Sequence, residues 1–279
     1  MALRILPFLS GLAVLGGFFL NPLSSAHAQQ LDALSIGKWT ITPYFGATVL
    51  NNQTMVEAAT LSASGSITFS DGSILSATAA ATLNETDFSD FYDTPLVFGA
   101  DVGYMQTERL EVFGGFRYTT ASGDSFTNVG SITAAFNFTD SSGTTTAVAI
   151  GDTIQASLGD YSSYSFSGGA RHYLTDSRLA PFVGASVGYL RVDDISVKAR
   201  LVNIAAQTGD IKYFDTSNIW TAGIQGGINF GKFGLQANLD YQPELNGDDS
   251  DIGLVGLGAI NDTGGGFTVG IVARLTIAF

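Results

Sequence analysis

The chain has 279 residues, with 12 Lys and Arg against 25 Asp and Glu, and a net charge of -13 at pH 7. So acidic a balance repels phosphate backbones and anionic substrates, which argues against nucleic-acid binding. There is no cysteine, so disulfide staples and thiol chemistry are excluded.

The N-terminus reads as a targeting segment. Arg4 supplies a short positive region, residues 5–20 form an almost uncharged apolar run, and Ala26-His27-Ala28 is an A-x-A cleavage site. This predicts a signal peptide over residues 1–28, cleaved after Ala28, with 29–279 left as one domain. The alternative, a membrane anchor, is opposed by Pro7, the Gly16-Gly17 pair and the Asn21-Pro22 break. Cleavage removes one positive charge, Arg4, and takes the net charge from -13 to -14. Beyond Ala28 no stretch reaches the roughly 18 apolar residues of a second spanning helix. A membrane-spanning chain of this kind must close a β-barrel, because open strand edges go unsatisfied in lipid. The 34 Gly, 20 Phe and 10 Tyr, with only 13% charged residues, suit lipid-facing strands around a crowded interior.

Apolar residues then recur at every second position, the period of a strand. Trp39, Ile41, Phe45, Ala47 and Val49 share one face, and Pro43 on that face predicts a bulge or break. Leu96 to Met105 and Leu110 to Tyr118 follow, joined by a tight turn at Thr107-Glu108-Arg109. Tyr164 to Leu174 and Pro181 to Arg191 flank the turn 175–178, and Trp220 to Phe230 meets Leu235 to Gln242 across Gly231-Lys232. The last segment, Phe267 to Phe279, completes eight strands. Connections after the second, fourth and sixth are short and the others long, which predicts periplasmic turns, extracellular loops and both ends in the periplasm.

The long connections carry strand patterns of their own. Residues 61–83 alternate around Asp71-Gly72, and 130–154 alternate around Ser141-Ser142-Gly143. Two readings stay open: extensions rising above an eight-stranded barrel, or extra spanning hairpins that make ten to twelve strands. The loops are acidic, with Glu57, Asp71, Glu85, Asp87, Asp90 and Asp93 in 51–94 and Glu244, Asp248, Asp249, Asp251 and Asp262 in 243–265. They would stay hydrated or bridge to lipopolysaccharide through divalent cations.

Positions assigned outward carry no formal charge, and Trp39, Tyr104, Tyr189, Trp220, Phe230 and Tyr241 lie near strand ends, where interfacial rings anchor. Positions assigned inward carry six charges: Asp101, Glu111, Arg117, Arg171, Asp240 and Arg274. An eight-stranded barrel is just wide enough to be filled by side chains, and buried charges must pair. The expectation is a neutral Arg/carboxylate network that plugs the lumen, with Asp101, Glu111 and Asp240 as candidate partners of Arg274. No catalytic constellation is expected. His172 is the one histidine after cleavage and faces outward without a serine partner. Asp248-Asp249-Ser250-Asp251 lacks calcium-loop spacing, so neither metal nor cofactor is expected.

The stretch 164–192 contains Gly169, Arg171, His172 and Tyr173, then Pro181, Phe182, Val183 and Gly184 across a turn. This pattern resembles small Gram-negative outer-membrane barrels of the OmpA-like and opacity-protein type, with His172 at a position those families usually give to an aromatic. The final strand resembles their assembly signal through Phe267, Ile271, Leu275, Ile277 and the terminal Phe279. The resemblance implies an outer-membrane location, contact with the barrel-assembly machinery and periplasmic chaperones, and a structural or surface-interaction role with an extracellular ligand. No peptidoglycan-binding domain follows the barrel pattern, so cell-wall tethering is not expected. A small porin is the alternative, and a lipid-modifying enzyme a more distant one.

Overall fold

The alternating segments fold as strands of two sheets. A computed structural model describes residues 36–51, 54–56, 58–123, 125–175, 177–203, 211–243 and 266–279. The signal segment with Ala26 and Ala28, Glu57, Asp176 and the acidic group Glu244, Asp248, Asp249, Asp251 and Asp262 lie outside the described residues.

In chain order, β1 (Trp39–Asn51) leads into a long excursion containing β2 (Thr54–Val56), β3 (Ala59–Thr68), β4 (Ile74–Leu83), β5 (Thr86–Asp87) and the short helix α1 (Phe88–Phe91). The chain returns through β6 (Leu96–Met105) and β7 (Leu110–Ala121), then makes a second excursion with β8 (Thr127–Thr139) and β9 (Thr145–Leu158). β10 (Tyr161–Tyr173) and β11 (Leu179–Val192) precede a third, with β12 (Ile195–Leu201) and β13 (Ile211–Phe214). β14 (Ser217–Phe230), β15 (Phe233–Gln242), β16 (Gly266–Leu275) and β17 (Ile277–Ala278) finish the chain.

One sheet runs β16-β15-β14-β11-β10-β7-β6-β1, and β16 also pairs with β1. The sheet closes into an eight-stranded antiparallel barrel, with β17 as the continuation of β16. The ten-to-twelve-strand alternative is therefore wrong. The hairpins over 61–83 and 130–154 pair instead in a separate six-stranded sheet, β13-β12-β9-β8-β4-β3. β3, β4 and β9 carry no aromatic residue, and β3, β4 and β8 pair with one another in unbroken register, from Ala63↔Ala79 to Ala79↔Ala134.

Pro43 acts on a partner strand rather than on its own. β1 is continuous and Pro43 stays in register with Ala100. Across the closing seam, pairing stops after Tyr44↔Arg274 and resumes at Ile41↔Ile277. The gap is where a proline has no N–H to donate. There the Thr276 N–H donates to Lys232 O at 2.6 Å instead.

The excursions are rooted in a hydrophobic cluster at the end of the barrel from which the long connections leave. Met55, Phe88, Phe91, Tyr213, Phe214 and Ile195 from the excursions pack with Ala121, Tyr161, Leu190 and Ile219 from the ends of barrel strands. Helix α1 delivers two of these rings. The Asp90 carboxylate accepts the Asp87 N–H at 3.0 Å, which starts a turn that points Phe88 and Phe91 inward. Phe88 then stacks on Tyr92 at 4.4 Å and meets the edge of Tyr161 at 5.1 Å. Burial lifts the Tyr92 hydroxyl above its ordinary range.

At the hairpin tips, Gly72 and Gly143 take φ of +86° and +88°, a region where a side chain would be strained. The Ser73 hydroxyl and N–H donate to Asp71, and the Ser142 hydroxyl and the Thr144 N–H donate to Asp140. These bonds favour the ionised carboxylates, so both titrate below the ordinary aspartate value of 3.8. A depressed pKa stabilises the folded turn above the ordinary value, and that stabilisation is lost as pH falls through the lowered one. NMR titration should give both carboxylates midpoints below 3.8.

Truncating Phe91 to Ala should cost about 3–5 kcal/mol of cap packing. Hydrogen exchange should rise in β2, β5 and α1, while the barrel's heat-dependent gel mobility stays unchanged.

Candidate functional site

Side-chain direction is the first thing the barrel fixes. Outward positions are apolar and exposed: Val187 is 64% accessible, Ile224 61% and Trp220 73%. Inward positions are polar and covered: Arg171 and Glu111 are each 1% accessible, Arg274 3% and Asp101 4%. The barrel is inside out.

Aromatic rings mark two levels on the outer face. At the short-turn end, Trp39 pairs with Tyr104 at 5.1 Å. At the other end, Tyr118 meets Tyr164 at 5.0 Å, Tyr189 meets Trp220 at 5.8 Å and Tyr241 meets Phe267 at 5.4 Å. β14 carries both levels, Trp220 and Phe230, as β15 does with Tyr241 and Phe233. On β14, ten residues at about 3.4 Å each, tilted by about 40°, separate the two rings by roughly 26 Å along the barrel axis. His172, opposite Leu110 and Val183, lies on the outer face at the short-turn end. The rule that outward positions are uncharged needs one correction. Arg191 faces outward opposite Asn218, but two residues beyond Tyr189, and Asp193 lies 3.7 Å from it. Arg191 thus lies past the ring level, with a carboxylate beside it.

All six predicted interior charges do point into the barrel, but they divide into two groups. In the lower group the Arg171 guanidinium bonds Asp101 directly, reaches Glu111 at 3.4 Å and donates to Gln225 at 3.2 Å. Its plane lies 3.7 Å from the Phe113 ring centre. Glu111 also accepts from the Thr40 hydroxyl at 2.7 Å and the Tyr173 hydroxyl at 2.9 Å. In the upper group Arg117 pairs with Asp240 at 2.6 Å.

Arg274 departs from expectation. Asp101, Glu111 and Asp240 are not its ion-pair partners among the described residues. Its Nη1 donates to Gln236 at 2.8 Å and its guanidinium lies 4.8 Å from the Phe182 ring centre. The two nearest carboxylates are already held by Arg171, so Arg274 settles on an amide and a ring. Its Nε and Nη2, the Asn229 amide and Gln225 Nε2 have no protein hydrogen-bond partner among the described residues.

Sequence reasoning missed what makes room for the carboxylates. A Cβ on Gly103 would collide with Glu111, one on Gly115 with Asp101, and one on Gly223 with Asp240. Inward glycines one strand away from inward acids were the available signal. The aromatic cap was missed as well, since Phe88, Phe91, Tyr213 and Phe214 have no period that separates them from ordinary loop residues.

No family model matches the chain, and no curated protein matches it. Among solved structures, it is similar to the attachment invasion locus protein Ail of Yersinia pestis, at 10% identity over 87% of this chain and 99% of that one, with a TM-score of 0.37. The N-terminal β-barrel domain of Pseudomonas aeruginosa OprF follows at 11% identity, 86% and 97% coverage and 0.30. Neisserial surface protein A gives 14%, 86% and 96%, and 0.34. Likeness of this degree adds no weight to the geometry.

Replacing Arg171 by Met should leave Asp101 and Glu111 buried and unpaired, at a cost of about 3–5 kcal/mol in urea unfolding from detergent. Arg274→Met should cost no more than about 1 kcal/mol, because it breaks no ion pair.

Proposed function

We propose that this chain is a bacterial outer-membrane protein: a closed barrel that carries a strand-built platform on the cell surface for interaction with an extracellular partner. One observation carries the reading, the inversion of the barrel between two ring levels about 26 Å apart. That spacing matches the apolar band of roughly 25 Å that such barrels present to lipid, and uncovered Val187, Ile224 and Trp220 would be a liability in water. The signal pattern over 1–28 supplies an export route, and the final strand through Phe279 supplies the assembly signal.

The interior speaks for a plugged lumen. Arg171 with its two carboxylates crosses the lower half, Arg117 with Asp240 crosses above it, and the Phe88 and Phe91 cap covers the mouth. The partner surface is the six-stranded sheet with its acidic neighbours Asp71, Glu85, Asp87, Asp90 and Asp93. No catalytic step belongs to this reading, because His172 sits at the opposite end from that sheet. A channel for small solutes is favoured by one feature, a polar chamber around Arg117 and Asp240 lined by Ser165, Ser167, Ser186 and Thr221. Conduction would require both the cap above it and the Arg171 group below it to part.

Two measurements test the proposal. Planar-bilayer recordings should show no stable conductance, and a large steady one would replace the plugged reading with the channel. An impermeant maleimide on intact cells should label Ser142→Cys at a hairpin tip but not Lys232→Cys at a short turn. Labelling of the second variant alone would reverse the orientation.

A further inference from the structure

The six-stranded sheet ends in two unlike edges. One is β13, four residues long with Lys212 in it. Short and charged edges resist accidental pairing. The other is β3, ten residues long, with no charge, no proline and an unbroken register against β4. Nothing among the described residues pairs with its outer side, and seven consecutive residues, Ser62 to Thr68, are exposed. Such an edge presents a row of free N–H and C=O groups and is a template for another strand.

We propose that β3 is a homotypic docking edge, which pairs antiparallel with β3 of a second copy. The sequence of the strand is self-complementary about Ser64. In that register Leu61 faces Ile67, Ser62 faces Ser66, Ala63 faces Gly65 and Thr60 faces Thr68. Apolar thus meets apolar on one face of the ladder, and hydroxyl meets hydroxyl on the other, the pairings that stabilise antiparallel ladders. The faces also continue across the join. Leu61, Ala63, Gly65 and Ile67 share a face with Leu75, Ala77, Phe136 and Phe138, so two copies build one twelve-stranded sheet with a single apolar side. β3, β4 and β8 carry no formal charge, so no like charges are opposed within the ladder itself.

Orientation then identifies where the second copy sits, and this step rests on the outer-membrane reading. Copies in one membrane share one sense along its normal, so a β3 that rises along that normal cannot meet an antiparallel twin there. Copies on two facing cells can. The edge is a device for cell-to-cell adhesion between like cells.

The purified protein in detergent tests the ladder itself. Ser64→Cys should give dimers with a short bis-maleimide, while Arg109→Cys at a short turn should stay monomeric under the same treatment. Ser64→Lys should lose the dimer in analytical ultracentrifugation with unchanged circular dichroism and gel mobility, and mixing it with Ser64→Glu should restore it. A monomeric wild type, or a dimer indifferent to both charges, overturns the pairing. On cells, wild type should cause clumping that Ser64→Lys abolishes. A charge-sensitive dimer in detergent, together with no labelling of Ser64→Cys on intact cells, would overturn the surface location and leave the ladder standing.

Discussion

On the proposed membrane reading, an unpaired backbone N–H on the barrel has no water to turn to, and each one left open costs several kcal/mol. The pairing of β1 with β16 therefore governs the molecule, because it converts an open eight-stranded sheet into one without edges. The other requirements follow from closure. Side chains on the outside must be apolar and those on the inside must fill a narrow tube, which fixes the alternation of every strand. Even the defect in the seam is managed. The donor missing at Pro43 coincides with the step between β16 and β17, where Thr276 turns to Lys232 instead.

Filling the tube with charge poses a second problem, since ion pairs removed from water recover their desolvation cost only with good geometry and further hydrogen bonds. Glu111 shows the solution, held by Arg171, Thr40 and Tyr173 together. Glycines opposite the acids create the space. Arg274 shows the limit of the scheme. Two carboxylates serve Arg171 first, and the second guanidinium in that layer takes an amide and the face of Phe182.

Much of this was legible in the sequence, and the pattern of what was not is physical. Alternation along β6, β7, β10, β11, β14, β15 and β16 is enforced by two different environments on the two faces, so inward Asp101, Glu111 and Arg171 could be named from parity alone. Parity does not give height or rotation around the barrel. Sharing a face could not say that Arg117 takes Asp240 while Arg274, among the described residues, takes an amide and a ring. The excursions obey a weaker rule. β3, β4, β8 and β9 alternate, but small residues such as Ala79 and Ala134 fit equally well in a spanning strand or an extension, which left the strand count open. The cap around Phe88, Phe91, Tyr213 and Phe214 joins segments far apart in the chain and leaves no local period to read.

The origin of the platform's strands in three separate excursions constrains the order in which the molecule can form. Each hairpin, β3 with β4, β8 with β9 and β12 with β13, is local and can close early. The joins between them, β4 with β8 and β9 with β12, link residues dozens of positions apart. Loop-closure entropy opposes such contacts until something else brings the ends together. That something is the barrel, whose β6–β7 and β10–β11 pairs bring the roots of neighbouring excursions side by side. The platform should therefore be the last part of the chain to become ordered, completed only after the strands beneath it are in place.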